Sequence, residues 1–304
     1  MDRKTLAIGF IGAGITGTAL SVRLAQHGYH ITAVSSRSLA SAERLAGRIA
    51  GCQVYQTAQD VADVVQLVFI TTPDDVIAKV AAEVKWHARQ TVVHCSGAHS
   101  SGILELAEHC GATTGCFHPL QTFAGIDQAV DNIPGSTFAI EAQEPILTTL
   151  KNMATDLGGE WVILQPGDKV LYHTAAVFAC NYLVTLVNLA TDLWQTFGVP
   201  REQATRALMP LLRGSLNNIA NVGLPNCLTG PIARGDLGTI KKHLNALENA
   251  DSPLLDIYKE LGLHTIPIAL EKGKIDAQRA GELQNLLQET LIKQGGNYEN
   301  NAQM

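Results

Sequence analysis

Aromatic residues make up only 5 % of the 304 positions, so any core has to be assembled from Ala, Val, Leu and Ile, as in layered α/β proteins. Charge of one sign is not concentrated anywhere. The 22 Lys and Arg face 28 Asp and Glu, for a formal net charge of −6, which excludes the basic stripe of a nucleic-acid or anionic-membrane binder. The six cysteines, Cys52, Cys95, Cys110, Cys116, Cys180 and Cys227, contain no Cys-x-x-Cys pair and no metal-ligand spacing. They read as thiols of a reducing compartment, with no structural metal. No internal repeat is visible. The longest apolar stretch, Ala175 to Ala190, is interrupted by Asn181, Thr185 and Asn188, which suits a buried helix better than a membrane span. Met1 to Lys4 leads directly into an apolar segment, leaving no room for a signal peptide. These absences define an expectation: a cytoplasmic protein acting on a small-molecule substrate, with neither nucleic acid nor membrane as partner.

What is present begins at Leu6, where an apolar run ends in Gly12-Ala13-Gly14-Ile15-Thr16-Gly17 and passes into helical spacing at Ile15, Ala19, Val22 and Ala25. This reads as strand, tight turn, helix. Gly12 allows the turn, Gly14 lets the backbone approach a pyrophosphate, Gly17 lets helix and strand pack closely, and the helix N-terminus offers N–H groups to the phosphates. After a second strand, His30 to Ser35, stand Ser35, Ser36, Arg37 and Ser38. An acid there would bind the ribose hydroxyls of NAD. Hydroxyls and an arginine instead point to the 2′-phosphate of NADP, although Ser38 also reads as an N-cap.

Strands and helices then alternate as a doubly wound sheet requires. A helix from about Leu39 to Ala50 follows, then an extended piece at Val54 and a strand from Leu67 to Thr71. Thr71, Thr72 and Pro73 belong at the cofactor crevice, with Thr72 as N-cap and Pro73 as first helical residue. A strand from Thr91 to Cys95 ends in Ser96-Gly97, and another closes at Phe117-His118-Pro119. One more strand-helix-strand unit runs to Leu164, and Gln165-Pro166-Gly167 breaks the pattern. The expected organisation is a Rossmann domain over 1–166, an all-α domain over 167–293 and a disordered tail over 294–304. The second domain opens with a helix from Lys169 to Phe197, apolar enough to be surrounded by other helices. A helix begins at Pro200 and is kinked at Pro210. Helices also span Leu237 to Glu248, Pro253 to Leu261 with Ser252 as cap, and Ile275 to Ile292.

A Rossmann domain followed by a helical one resembles the 6-phosphogluconate dehydrogenase-like superfamily, which includes ketopantoate reductase, pyrroline-5-carboxylate reductase and prephenate dehydrogenase. The segments His94 to Ala98, Phe117 to Phe123, Tyr172 to Ala176 with Asn181-Tyr182, and Leu228 to Asp236 resemble Rossmann-like proteins with a C-terminal domain of unknown function 2520. Reduction of a carbonyl or imine needs a proton donor and polar groups that hold the substrate. Lys169 and His173 are i and i+4 on one helix face, and Asn181 lies within about 80° of it. The resemblance to hydroxyacid dehydrogenases implies Lys169 as acid or base, with His173 where those enzymes carry a substrate-orienting asparagine. The resemblance to prephenate dehydrogenase implies a catalytic His118 and a substrate-facing Ser96. His94, inside a strand pattern, and His99, in a loop, rank lower. Arg234 could bind a substrate carboxylate through its planar fork, or form a salt bridge between helices or subunits. The expectation is an NADPH-dependent reductase of a small 2-oxo or imino acid, ketopantoate first. Alternatives are pyrroline-5-carboxylate or prephenate chemistry, or a non-catalytic NADP-binding sensor. The resemblance also implies a homodimer.

Overall fold

The computed structural model describes residues 6–249 and 254–289. Its contacts divide the chain into two compact units, Met1–Leu183 and Val184–Met304. The first unit carries β1 (Ala7–Ile11), α1 (Ile15–Gln26), β2 (His30–Ser35), α2 (Leu39–Ala46), β3 (Gln53–Val54), α3 (Ala58–Val64), β4 (Leu67–Ile70) and α4 (Asp74–Glu83). It continues with β5 (Thr91–His94), a 3-10 turn (Ser101–Leu104), α5 (Glu105–His109), β6 (Thr113–Leu120), α6 (Ile126–Asn132), β7 (Thr137–Ala142), α7 (Ile146–Asp156), β8 (Glu160–Ile163) and α8 (Lys169–Ala176).

The eight strands form one sheet in the order β3-β2-β1-β4-β5-β6-β7-β8. All neighbours are parallel except β6 and β7. The order reverses between β1 and β4, and ligands of such sheets bind outside the strand C-termini at that switch. Four of the phenylalanines cross one face as a row. Phe10 stacks on Phe69 at 5.1 Å, Phe69 meets Phe117 at 6.2 Å, and Phe117 stacks on Phe138 at 4.5 Å. All four are fully buried, so a chain poor in aromatics spends them where β1, β4, β6 and β7 share a core. β6 runs through Pro119, because its antiparallel pairing with β7 extends as far as Leu120↔Thr137.

Several boundaries differ from the sequence reading. α2 stops at Ala46, with Gly47 as C-cap. Pro73 is the N-cap position of α4 rather than its first helical residue. α6 has no counterpart in the expected pattern. The expected domain boundary after Pro166 marks the end of the sheet, but α8 packs with the first unit, because Lys169 and Tyr172 bond to groups of the strand ends.

α8 continues through a π-helical segment (Val177–Asn181) into α9 (Tyr182–Gln195). The expectation that this helix is enclosed by others is not met in the single chain. Val170, Leu171, Phe178 and Val184 are each more than half exposed. By length and composition, with mean hydropathy 1.6, Lys169–Gln195 could cross a membrane.

In the second unit, α10 (Arg201–Val222) contains Pro210, a 3-10 turn spans Ile232–Arg234, and α11 (Leu237–Asn249), α12 (Leu254–Glu271) and α13 (Ala277–Glu289) follow. Its core gathers Ile240, Leu244, Ile266, Leu283 and Leu287. α12 runs beyond the expected stop at Leu261, through Pro267. The expected cap Ser252, the start at Pro253 and the tail over 294–304 lie outside the described residues.

Candidate active site

The first half of the site is made of backbone. Gly12 sits at φ 107°, and a Cβ there would lie 2.7 Å from the Thr71 carbonyl group. A Cβ on Gly17 would collide with Thr71 Oγ1 and approach Gly12 O to 2.7 Å, whereas one on Gly14 would meet nothing within 4 Å. Turn and helix are thus pressed against the end of β4, while the side facing Gly14 stays open. Thr71 Oγ1 closes the contact by donating to Gly12 O at 2.8 Å. α1 starts at Ile15 with no side chain capping it, so its first N–H groups remain available to an anion.

A groove of 410 Å³ runs from this turn over the ends of β1, β2 and β4. Of the residues expected at the cofactor, Gly12, Ala13, Gly14, Ser35, Ser36, Arg37, Thr71, Thr72 and Pro73 line it, and Ile15, Thr16 and Gly17 do not. Gly17 acts from behind, by permitting the close packing. The lining contains Arg37 and no carboxylate. Ser38 accepts from Ser41 N at 3.4 Å and so also caps α2, and Arg44 donates to Ser41 Oγ at 2.8 Å. Arg44 therefore stands one hydroxyl behind the groove, a cation that sequence reasoning missed because it lies inside an ordinary helical pattern. The residues fit a dinucleotide: an open turn for the pyrophosphate and hydroxyls with an arginine where the adenosine ribose falls.

The second half is made of side chains. Asp74, directly after the groove residue Pro73, accepts from Ser96 Oγ at 2.8 Å, which ties the groove to the loop after β5. Ser96 is 4 % exposed, and its hydroxyl also accepts from the N–H groups of Ala98 and His99. The expected substrate-facing role of Ser96 is therefore corrected. Its side chain is consumed in building the turn, with His99 Nδ1 at 3.2 Å as a further neighbour. His94 pins the same loop, accepting from Ser96 N at 3.1 Å through Nδ1 and reaching Ser100 O with Nε2 at 3.2 Å. Glu141 holds the far end, its Oε1 accepting from Ser100 Oγ, Ser101 N and Ser101 Oγ.

This loop presents Gly97 to two imidazoles. A Cβ on Gly97 would lie 2.8 Å from His118 Nε2 and 2.9 Å from His173 Nδ1, so only glycine lets both rings approach. His118 Nδ1 lies 2.7 Å from the Tyr172 hydroxyl. Tyr172 and Gly97 were not singled out from the sequence. The available signal was that both fall in segments that carry the family resemblance, His94 to Ala98 and Tyr172 to Ala176. Lys169 is 1 % exposed, and its ammonium donates to Ser96 O at 2.8 Å and to Cys116 Sγ at 2.9 Å. Burial, with the Lys169 charge next, pushes the His118 pKa down to about 3, and the same two causes in the same order bring His94 down to about 4. Burial raises the Cys116 thiol to about 11 in spite of the nearby ammonium. The His118 and His94 rings are therefore neutral at physiological pH.

Lys169, His173, Ser96 and His118 thus meet inside one unit, where the sequence reading distributed them over two domains. Asn181 closes the π-helical segment and is exposed. The widened turn alters the angular count that aligned it with His173. Arg234 belongs to the second unit, where it lines a polar depression with Lys274 and Arg279. Among the described residues no group of three metal-ligating side chains occurs.

Fold and groove define a Rossmann-type protein with the fold of NADP-dependent oxidoreductases. More specifically, residues 1–119 match the Rossmann-like domain family and residues 136–265 match DUF2520, a domain of unknown function. Among solved structures it is similar to BF3122 from Bacteroides fragilis, which is named for NADP oxidoreductase activity, with 25 % identity, TM-score 0.68, and 88 % of this chain and 100 % of that one covered. A reductive aminase from Aspergillus terreus, solved with NADPH and ethyl-5-oxohexanoate, matches at 18 % identity and TM-score 0.61, covering 96 % and 95 %. A pyrroline-5-carboxylate reductase from Coxiella burnetii matches at 18 % identity and TM-score 0.58, covering 92 % and 98 %. The last two likenesses are of fold. No curated protein matches the chain.

Proposed function

We propose that the protein is an NADPH-dependent reductase of a small 2-oxo or imino acid. The observation that carries this reading is the continuity of the two half-sites, since Asp74 joins a dinucleotide groove to a loop on which the imidazoles of His118 and His173 converge. The dinucleotide, when bound, supplies a hydride equivalent to a carbonyl or imine carbon. Gly12, Gly14 and the N-terminus of α1 would hold its pyrophosphate, and Arg37 with Ser35 and Ser36 its 2′-phosphate. His118 and His173 hold the reacting oxygen or nitrogen, His118 by donating a hydrogen bond, and the proton that a reduced carbonyl takes up comes from water. Lys169 is assigned a different task from the general acid expected of it. Its ammonium is already engaged by the Ser96 carbonyl and the Cys116 thiol, which it fixes, and its charge adds to burial in keeping His94 and His118 neutral.

Names among the structural neighbours, reductive aminase and pyrroline-5-carboxylate reductase, favour imines within this class. Ketopantoate stands for the oxo acids. The test is NADPH oxidation by the full chain against ketopantoate, pyrroline-5-carboxylate and a panel of cyclic imines and oxo acids. Turnover on any member supports the reading, and tight NADPH binding without turnover would support a sensor instead.

The exposed apolar face of α8 and the π-helical segment after it is proposed to be covered by a second copy in a cytoplasmic homodimer. Val170, Leu171 and Phe178 contribute to it, each more than half exposed. A membrane is the less fitting cover, because the first turns of this helix hold Lys169 and Tyr172 against the sheet ends. Analytical ultracentrifugation should give a dimer, converted towards monomer by Leu171→Asp with Phe178→Asp.

A further inference from the structure

Tyr172 and His118 meet in a geometry that determines which nitrogen of the imidazole carries hydrogen. The hydroxyl lies 2.7 Å from Nδ1, and the rings stand edge-on, 5.7 Å between centroids and 89° between planes. Hydroxyl and imidazole share one bond, which needs one hydrogen. A phenol is a stronger acid than a neutral imidazole N–H, and imidazole nitrogen is a better acceptor than phenol oxygen, so Tyr172 donates and Nδ1 accepts. The hydrogen of the neutral ring is then on Nε2. That atom faces the Gly97 position, to which His173 Nδ1 is also directed. His173 Nδ1 is buried and has no hydrogen-bond partner among the described residues.

We propose that Tyr172 is a positioning residue that holds His118 as the Nε2–H tautomer, making His118 Nε2–H and His173 Nδ1 a donor–acceptor pair for the reacting group of the substrate. The proposal rests on the reductase reading and narrows its substrate class. A ketone oxygen only accepts, so it satisfies His118 and leaves His173 Nδ1 buried without a partner, a costly arrangement. An unsubstituted imine, C=N–H, makes both bonds at once, accepting from His118 Nε2–H through its lone pair and donating its own hydrogen to His173 Nδ1. The amine formed by reduction can do both. The pair therefore selects N–H imines over ketones.

The charged and titratable groups around His118 agree with a neutral ring. Burial acts first, and Lys169 and His173 from α8 and His94 from β5 all disfavour the imidazolium, against Asp74 from α4, which favours it. Burial likewise keeps Tyr172 protonated, with its pKa above the ordinary phenol value. A neutral imidazole that donates from one nitrogen is a competent electrophile towards developing negative charge.

The test is long-range ¹H–¹⁵N NMR on the full chain labelled with ¹⁵N-histidine, with His118 identified by His118→Gln. The wild-type spectrum should show protonated Nε2 and bare Nδ1, unchanged between pH 5 and 8. Tyr172→Phe, which removes only the hydroxyl, should turn His118 into a tautomer mixture while the other nine histidines keep their resonances. It should also lower kcat/KM for the N–H imine that a 2-oxo acid forms with ammonia, read as ammonia-dependent NADPH oxidation, relative to the parent 2-oxo acid by about tenfold, the scale of one hydrogen bond, at unchanged NADPH affinity. A wild-type Nδ1–H tautomer would overturn the proposal without needing any variant, and so would an unchanged His118 signal in Tyr172→Phe. Absence of NADPH turnover in the wild type would remove the reductase reading and leave the tautomer result standing.

Discussion

The two halves of the crevice are built from different materials. The dinucleotide groove is made of backbone, with a turn at φ 107°, open helix N–H groups and close contacts that exclude a Cβ. The reaction cluster beside it is made of titratable side chains, the buried Lys169 and the half-buried His118, His173 and Tyr172, brought in from β6 and α8 onto a loop held by His94 and Glu141. The comparison teaches that the groove depends on space and the cluster on charge. The two should fail in different ways when altered.

The largest effect is expected at the groove. Gly17→Val places branched carbon into Thr71 and the Gly12 carbonyl, where backbone cannot yield. Overpacking of this kind costs about 1–3 kcal/mol or more. Urea unfolding should show a loss of at least that size, and calorimetry should show NADPH binding reduced below detection.

At the cluster the expected loss is of rate rather than binding. His118→Ala should lower kcat by about 100- to 10,000-fold, the usual range for a lost proton-transfer group, with NADPH affinity nearly unchanged. Lys169→Met, which keeps the bulk and removes the charge, should act more mildly. Without the ammonium, the His118 pKa should move back up towards the ordinary histidine value, visible by NMR titration. A Lys169→Met enzyme losing more activity than His118→Ala would return the acid role to Lys169.

A smaller effect separates the coenzymes. Arg37→Asp should turn a preference for NADPH into one for NADH, a change of about 10- to 100-fold for a charge-assisted contact worth about 1.5–3 kcal/mol. Equal affinities in the unmutated chain, by fluorescence quenching, would break the assignment of that strand end.

The smallest effect is on stability against pH. His94 and His118 titrate in the folded chain at about 4 and about 3, below the ordinary histidine value of 6.5. Below pH 6.5 the unfolded chain binds protons that the native one refuses. Their contribution is therefore complete above 6.5 and is lost as pH falls towards 4 and then 3. Denaturant midpoints measured from pH 8 to 4 should fall on the acid side, and His118→Gln should flatten that fall.

Much of the groove was legible in the sequence because its parts are local. Gly12 to Gly17 encode turn and helix start within one stretch, and Ser35 to Arg37 end the next strand. The alternation of strands and helices likewise carried the class of the sheet, though not its strand order or the antiparallel pairing of β6 with β7. The cluster was legible only by residue type. Its geometry depends on which side chains a non-local packing brings together, so Tyr172 looked like one more helix residue and Ser96 like a free hydroxyl. Nor could periodicity reveal that α8 and α9 are apolar on a face left exposed by this chain, since helices packed by their own chain and by a second copy follow the same pattern. The π-helical segment at Val177–Asn181 interrupts a sequence that contains neither Gly nor Pro, so no breaker announces it.

The most direct test of the central claim, that one crevice joins dinucleotide binding to imidazole-assisted reduction, is a single-turnover experiment with NADPH deuterated at the transferred position and a cyclic imino acid. Wild type should move deuterium to the product carbon. His118→Ala, saturated with NADPH in the same cell as judged by fluorescence, should do so at least about 100-fold more slowly. Equal rates in the two proteins would contradict the account.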